Sequence, residues 1–293
     1  MIQLAHIERR QARIRRIRQR LSKSPPKTET VLQDPDAKYC IGIDEKLPQD
    51  IGTFLRSHAG DPAIEVRRMI LLKPFQLNLC QGFWPKLKLH VLPRIKEMIK
   101  AERQDQQEIP SAPPPGNLDA LELAGVHFKG ERMYRHNIMR INYTTYDVRR
   151  AQDCINPRTN LRDIMLLSHS DDDSARHEFE YARVIGIYHV NVVYTGPGML
   201  DYRARRVTFL WVRWYEILKD IPAQQGWENA QLDCLQFPPM SEADSFGFVD
   251  PADVLRGSHI IPSFSVGPRH AEAVGVSECA RNSQDWRQYV VNR

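Results

Sequence analysis

No stretch of this 293-residue chain approaches the roughly 18 consecutive apolar residues that a bilayer-crossing helix needs, so no helical membrane span is expected. Its first residues carry no apolar h-region, which excludes a secretory signal peptide. Cysteine is scarce: Cys40, Cys80, Cys154, Cys234 and Cys279 are odd in number, widely scattered and never spaced as C-x-x-C. That pattern excludes a disulfide framework and a zinc ribbon and fits a reducing compartment. The thiols are expected to serve as small buried apolar residues. Gly196-Pro-Gly198 is followed by no G-K-[ST], so it reads as a turn and not as a phosphate loop. No internal repeat is visible, and nothing in the pattern asks for a cofactor.

What is present is ordinary in bulk and uneven in detail. Apolar residues make up 42% of the chain and charged residues 26%, enough for at least one packed core, and the length allows two modest domains. The net charge of +5 conceals an asymmetry, because residues 1–27 hold nine Arg or Lys against Glu8 alone and the remainder is slightly acidic. Within residues 2–21, Leu4, Ile7, Ile14, Ile17 and Leu21 recur at helical spacing. Arg9, Arg10, Arg13, Arg15, Arg16, Arg18 and Arg20 occupy the rest of that helix, and Ser22-Lys-Ser-Pro-Pro26 stops it because proline lacks the amide donor. So dense a run of arginine has three readings. It can hold DNA phosphates, with affinity that falls steeply with salt as counterions are released. It can serve nuclear import, or be a plain solvated helix. No aromatic residue interleaves it, so base stacking is not expected.

Four segments follow. Residues 1–36 are the basic helix and a flexible stretch, and 37–100 form a small helical region. There Asp50 is placed to cap a helix that Gly60 ends, and Asp61-Pro62 to open another. Leu87, Val91, Ile95 and Met98 or Ile99 share one side of an amphipathic helix that Pro93 is expected to kink. Residues 101–120 are a proline-rich linker. Residues 121–293 switch to period two, with strands over 137–146, 163–167, 181–194, 207–215 and 259–264. Ala182, Val184, Gly186, Tyr188, Val190, Val192 and Tyr194 fall on one face of the third strand, with Arg183, His189 and Asn191 on the other; Gly186 is a natural bulge point. Residues 207–215 are apolar on both faces, as a central strand is. Short strands joined by turns point to a small barrel.

Whole phrases carry a resemblance. Met133-Tyr-Arg-His-Asn-Ile-Met-Arg-Ile-Asn-Tyr-Thr-Thr-Tyr-Asp-Val-Arg-Arg150, the Tyr181–Tyr194 block and Phe248-Val-Asp-Pro-Ala-Asp-Val-Leu-Arg-Gly-Ser-His-Ile-Ile-Pro262 resemble the C-terminal region of fungal Plavaka-type transposases, of the Kyakuja–Dileera–Zisupton group. Ile51-Gly-Thr-Phe-Leu-Arg-Ser-His-Ala-Gly-Asp-Pro-Ala63 and Pro85-Lys-Leu-Lys-Leu-His-Val-Leu-Pro-Arg94 resemble the stretch just before it. A weaker likeness, at the level of fold, runs to the small domain after the nuclease of plant En/Spm-type transposases and to bromo-adjacent homology (BAH) modules. The resemblance implies a nuclear, DNA-associated origin. The DDE-type nuclease core of those relatives, which holds two metal ions on acidic residues, lies upstream of the matching region, so the chain reads as a tail without its nuclease. It stops at Asp285-Trp-Arg-Gln-Tyr-Val-Val-Asn-Arg293 within a strand-like run, as a fragment would. Val66–Gln81 interrupts the familiar phrase and reads as a translated intron, since valine codons begin with GT and Gln81 can be CAG; spliced transcripts that retain the segment throughout would rule this out.

Several sharper signals meet plainer readings. His169-Ser-Asp-Asp-Asp-Ser-Ala-Arg-His177 mixes carboxylates and histidines, yet reads as a solvated polar loop. Trp211, Trp214, Tyr188 and Tyr194 are either an aromatic cage for a methylated lysine or core. Cys154 lies near His136, Asp147 and Asp153 in sequence, but a buried thiol is the preferred reading over a nucleophile. The expected architecture is α+β: a helical basic N-terminal part and a C-terminal mainly-β small barrel of BAH- or SH3-like type. The expected function is that of a non-catalytic, transposase-derived accessory or interaction module, without cofactor or metal, that binds DNA weakly and non-specifically through the basic helix. The alternatives are a BAH-like reader of chromatin proteins and a decayed transposon fragment without selected function. The expected location is the nucleus, otherwise the cytoplasm.

Overall fold

The computed structural model describes residues 38–41, 48–64, 82–104, 118–144, 150–168, 178–197, 202–218, 233–270, 272 and 274–292. The basic helix expected over 2–21, the Val66–Gln81 interruption and the His169–His177 loop lie outside these residues. Residues 38–293 form one compact unit.

Strand order begins with β1 (Tyr39–Ile41) and β2 (Gln49–Asp50), followed by the helices α1 (Ile51–Ser57), α2 (Phe83–Gln104) and α3 (Leu118–Ala124). Next come β3 (Val126–His136), β4 (Met139–Thr144), β5 (Arg150–Ile155), β6 (Asp163–Leu167), β7 (Phe179–Tyr194) and β8 (Arg205–Trp214). The chain finishes with β9 (Glu216–Ile217), β10 (Cys234–Gln236), β11 (Phe246–Val249), β12 (Val254–Gly257), β13 (His259–Pro262) and β14 (Tyr289–Asn292). Every strand pairing is antiparallel.

The local signals that start α1 are those the sequence contains. Asp50 is its N-cap, accepting the Thr53 amide at 2.7 Å, and Gly60 follows the helix at φ +85°, where a Cβ would be strained. Asp61-Pro62 opens a single turn, with the Asp61 carboxylate accepting the Ala63 amide. In α2 the apolar side is Leu87, Val91, Ile95 and Ile99, all buried, and Pro93 sits exposed within the helix.

The long strand β7 organises the sheets. Along one edge it pairs with β8 from Ala182 to Val192. Its other edge is divided, the first part against β6 and the second against β3. The ladder with β8 slips between Val184 and Gly186, a bulge at the glycine. That extra residue overturns the one-face reading of the strand. Before it, Ala182 and Val184 pack with Ile164, Leu166, Leu210, Val212 and Val254 and with the β4–β5 residues Met139, Ile141 and Ile155. After it, Tyr188, Val190, Val192 and Tyr194 face the other way, against Val207, Phe209 and Trp211 and the apolar side of α2. Gly186 is required at the slip, because a Cβ there would lie 2.3 Å from Cε2 of Tyr188.

The α+β character is observed, but the described residues form no closed barrel. The main sheet runs β11-β8-β7-β3-β2, with β6 and β12 joined to the open edge of β7. Its two ends are strands of four and two residues that do not pair with each other. A small barrel keeps one wet face and one buried face. Here both faces of β7 and β8 are apolar, so each is covered by a separate layer. A three-stranded sheet, β1-β4-β5, lies on one face. The helices cover part of the other, and a four-stranded sheet, β13-β14-β10-β9, covers the remainder. The elements from 37–100 therefore share a core with those from 121–293. Two ion pairs fasten α2 to the sheet: Arg94 to Asp250 at 2.6 Å and the buried Arg205 to Glu102 at 2.7 Å.

Candidate functional site

Where the four-stranded sheet meets the start of β7, the face of the main sheet changes from apolar to charged. Arg183 from β7 and Arg213 from β8 are cross-strand partners on the same side as Tyr181 and Tyr215. Both arginines are buried, as are Asp163 at the start of β6 and Asp285 in the segment before β14. Burying four charges is tolerable only when each finds its counter-ion and hydrogen bonds. Arg183 donates from Nε to Asp163 and from Nη1 to Asp285, both at 3.1 Å, and from Nη2 to the Tyr215 hydroxyl at 2.7 Å. That hydroxyl in turn donates to Asp163. Arg213 donates from Nη1 to the second oxygen of Asp285 at 2.5 Å. The Asp285 carboxylate is thus a bridge between two guanidiniums.

Phe237 completes the cluster. Its ring stacks on Tyr215 at 4.2 Å, with the Arg213 guanidinium 3.9 Å and the Arg183 guanidinium 4.7 Å from its centre. These π-faces contribute to holding the cations away from water. They matter because Arg213 Nε is buried with no hydrogen-bond partner among the described residues. Burial pulls the Arg183 pKa down, but Tyr215, Asp163, Tyr289 and Asp285 outweigh it and hold the group firmly protonated. Burial raises the Tyr215 phenol well above its ordinary range, so the hydroxyl stays a donor.

A cavity of about 310 Å³ opens directly onto this cluster. Arg183 and Asp163 form its floor, Ile260, Pro262, Tyr289 and Trp286 its walls, and the exposed Asn160, His259 and Gln284 its mouth. Arg162 also lines it. Burial, and then the positive charge of Arg183, lower the Arg162 pKa. An apolar-walled concavity with convergent polar groups and a perturbed cation is the usual form of a binding site. A second cavity of about 290 Å³ is lined by Phe54, Tyr188 and Trp211 inside and by Gln49, His58, Arg135, Glu278 and Arg281 around them.

The residues singled out from sequence fare differently. Trp211, Tyr188 and Tyr194 belong to the core under α1 and α2, whereas Trp214 packs on the opposite face of the sheet, so the four form no common cage. Cys154 lies half-buried on β5 opposite Arg140. Asp153 accepts the Gly257 amide and pairs with Arg256. His136 is buried against His189, ring nitrogens 2.7 Å apart; the three do not assemble around the thiol. Asp147 and Arg9, Arg10, Arg13, Arg15, Arg16, Arg18 and Arg20 lie outside the described residues. Among the described residues no group of three or more His, Cys, Asp or Glu is placed to hold a metal ion, and no helix is long and apolar enough to cross a membrane. The charged cluster itself escaped the sequence reading. Its one signal was an arginine inside each of two apolar strands, Tyr-Ala-Arg183-Val and Trp-Val-Arg213-Trp. Asp285 is 102 residues from Arg183, and no local pattern joins them.

No known family, curated protein or solved structure matches this chain.

Asp285→Asn leaves the buried Arg213 without a carboxylate and Arg183 with Asp163 alone. It should reduce unfolding free energy by about 3–5 kcal/mol, read as a lower urea midpoint. The buried His189 and the half-buried His90 set a pH dependence. Burial, then Arg206 and His136, depress His189 to about 3, and burial, then Arg94, depresses His90 to about 4. Around His189 stand the stacked Tyr134 ring, His136 and Arg206. Both folded values lie below the ordinary 6.5, so protons favour the unfolded chain. Stability is complete above pH 6.5 and falls as pH drops towards 4 and then 3, by at most about 1.4 kcal/mol per pH unit for each histidine. Urea titrations from pH 7.5 to 4.5 should show that slope, and His90→Gln should flatten it.

Proposed function

We propose that this chain is a non-catalytic accessory module of transposase ancestry, whose role is binding and whose basic N-terminal segment holds DNA phosphates in the nucleus. The observation that carries the reading is the use made of the buried acids. A nuclease of the two-metal type needs carboxylates free to share cations. In this chain Asp163 and Asp285 are bound by Arg183 and Arg213 and knit the two sheets together. The thiol lining the second cavity points the same way: burial, then the Asp61 charge, push Cys279 up to about 12, far from the thiolate a nucleophile requires. The phrase-level likeness to Plavaka-type transposases supports the ancestry. Nine Arg or Lys against one acid in residues 1–27 support the electrostatic contact, with Arg9, Arg10, Arg13, Arg15, Arg16, Arg18 and Arg20 as the phosphate ligands.

The reading is tested by salt-titrated binding to a short duplex of arbitrary sequence. Affinity should fall linearly on a log–log plot, by about 0.9 in slope for each phosphate neutralised, and deletion of residues 1–27 should abolish it. Affinity that survives the deletion, or shows no salt slope, defeats the DNA reading. Retained binding of a methylated histone-tail peptide in that case would favour the BAH-like reader, for which the cavity walled by Phe54, Tyr188 and Trp211 is the available surface.

A further inference from the structure

The charges at the sheet junction do not balance. Arg162, Arg183 and Arg213 face Asp163 and Asp285, three guanidiniums against two carboxylates. Asp285 is engaged at both oxygens, by Arg183 and Arg213, and Asp163 at one oxygen, by Arg183 and Tyr215. Arg162 feels Asp163 and Asp285 electrostatically, yet its side chain makes no ion pair and no hydrogen bond among the described residues. An arginine presents five donors in a planar fork, and one that is half-buried with that fork unmatched by protein groups is open to an anion. This one lines the cavity of about 310 Å³. Asp163 on the floor turns its hydrogen bonds to Arg183 and Tyr215 and makes none with the Arg162 side chain.

The surroundings of the cavity narrow the anion. Trp286 forms one wall and meets the Phe264 ring edge-to-face at 4.9 Å, and Phe264 is 69% exposed. Pro262 and Ile260 extend the apolar lining. The volume is at the small end for a ligand site, room for a side chain or two. A half-buried cation sharing a cavity with Trp286, whose ring meets the exposed Phe264, has the make-up of an interface anchor, where Arg and Trp concentrate binding energy. A nucleic-acid backbone fits less well, since it needs an exposed basic track and meets here an apolar shoulder of Trp286 and Phe264.

We propose that the cavity between β6–β7 and β13–β14 is a docking site for an acidic peptide segment of a partner protein, with an aspartate or glutamate carboxylate paired to Arg162 and a neighbouring apolar residue laid on Trp286 and Phe264. His259, Asn160 and Gln284 at the mouth provide hydrogen bonds to the peptide backbone. The site lies within residues 38–293 and is independent of DNA binding by the N-terminal segment.

Calorimetric titration of the full chain with the blocked peptide acetyl-Ala-Leu-Glu-Phe-Ala-amide and its glutamine isostere tests this without any mutation. The glutamate peptide should bind about tenfold more tightly, as a charge-assisted bond over a neutral one, and the difference should shrink at high salt. Arg162→Gln should bring the two peptides level, and Arg162→Lys should keep part of the difference. Phe264→Ala, a change at an exposed ring, should weaken both peptides alike. Urea midpoints confirm that each variant is folded, and an Arg162 variant that fails to fold leaves the isostere comparison as the deciding one. Equal affinity of the two peptides for the unaltered chain overturns the proposal. So does a duplex DNA that displaces the peptide and loses affinity in Arg162→Gln, because the anion would then be a phosphate. DNA binding by the N-terminal segment, measured on the same variants, should be unchanged.

Discussion

Both faces of the β7–β8 ladder are apolar, and that constraint decides what is laid against it. Val207, Phe209 and Trp211 point one way, Leu210 and Val212 the other, all of them buried. A sheet with one such face can curl around it and leave the second to water. This one needs a layer on each side, and it recruits α2, the β1-β4-β5 sheet and the β13-β14-β10-β9 sheet to supply them. The bulge at Gly186 sharpens the demand. By inserting one residue it hands the two halves of β7 to different layers.

The charged cluster is the exception that the layers leave. At the start of β7 the strand presents Arg183 rather than an aliphatic side chain, and β8 presents Arg213 beside it. Two cations side by side in a core would repel and pay for desolvation unless an anion sat between them. Asp285 does so, from a segment that arrives 72 residues after Arg213. Such a junction favours one arrangement of the small sheet on the large one, because any shift leaves a guanidinium uncompensated. It also places a surplus cation, Arg162, at the edge of the assembly, where a ligand can reach it. Stability and the proposed docking thus draw on one electrostatic arrangement.

Much of the framework was legible in the sequence. The strands of β4, β6, β7, β8 and β13 announce themselves by period-two patterning, α2 by Leu87, Val91 and Ile95, and the start of α1 by Asp50. Gly186 was a plausible bulge on chemistry alone. The reading went astray where it counted short strands and inferred closure, although the two-faced apolar pattern of 207–215 already argued against a barrel with a wet exterior. The candidate site was nearly invisible. Arg183 was grouped on one face with His189 and Asn191 because alternation was extended through a bulge that reverses it, and Asp285 looked like part of a terminal strand.

What the amino-acid sequence by itself determined was local: where strands and helices begin, where a glycine must stand, and how unevenly charge is spread between residues 1–27 and the rest. Those follow from backbone geometry and from the period of side chains along an element. Only the tertiary structure decided which face of each strand is buried, which carboxylate meets which guanidinium, and which arginine lacks a partner. The reason is physical. Desolvation and Coulomb attraction act between groups brought together from a hundred residues apart, and whether a charge is a structural tie or an open ligand site depends on what the fold sets beside it.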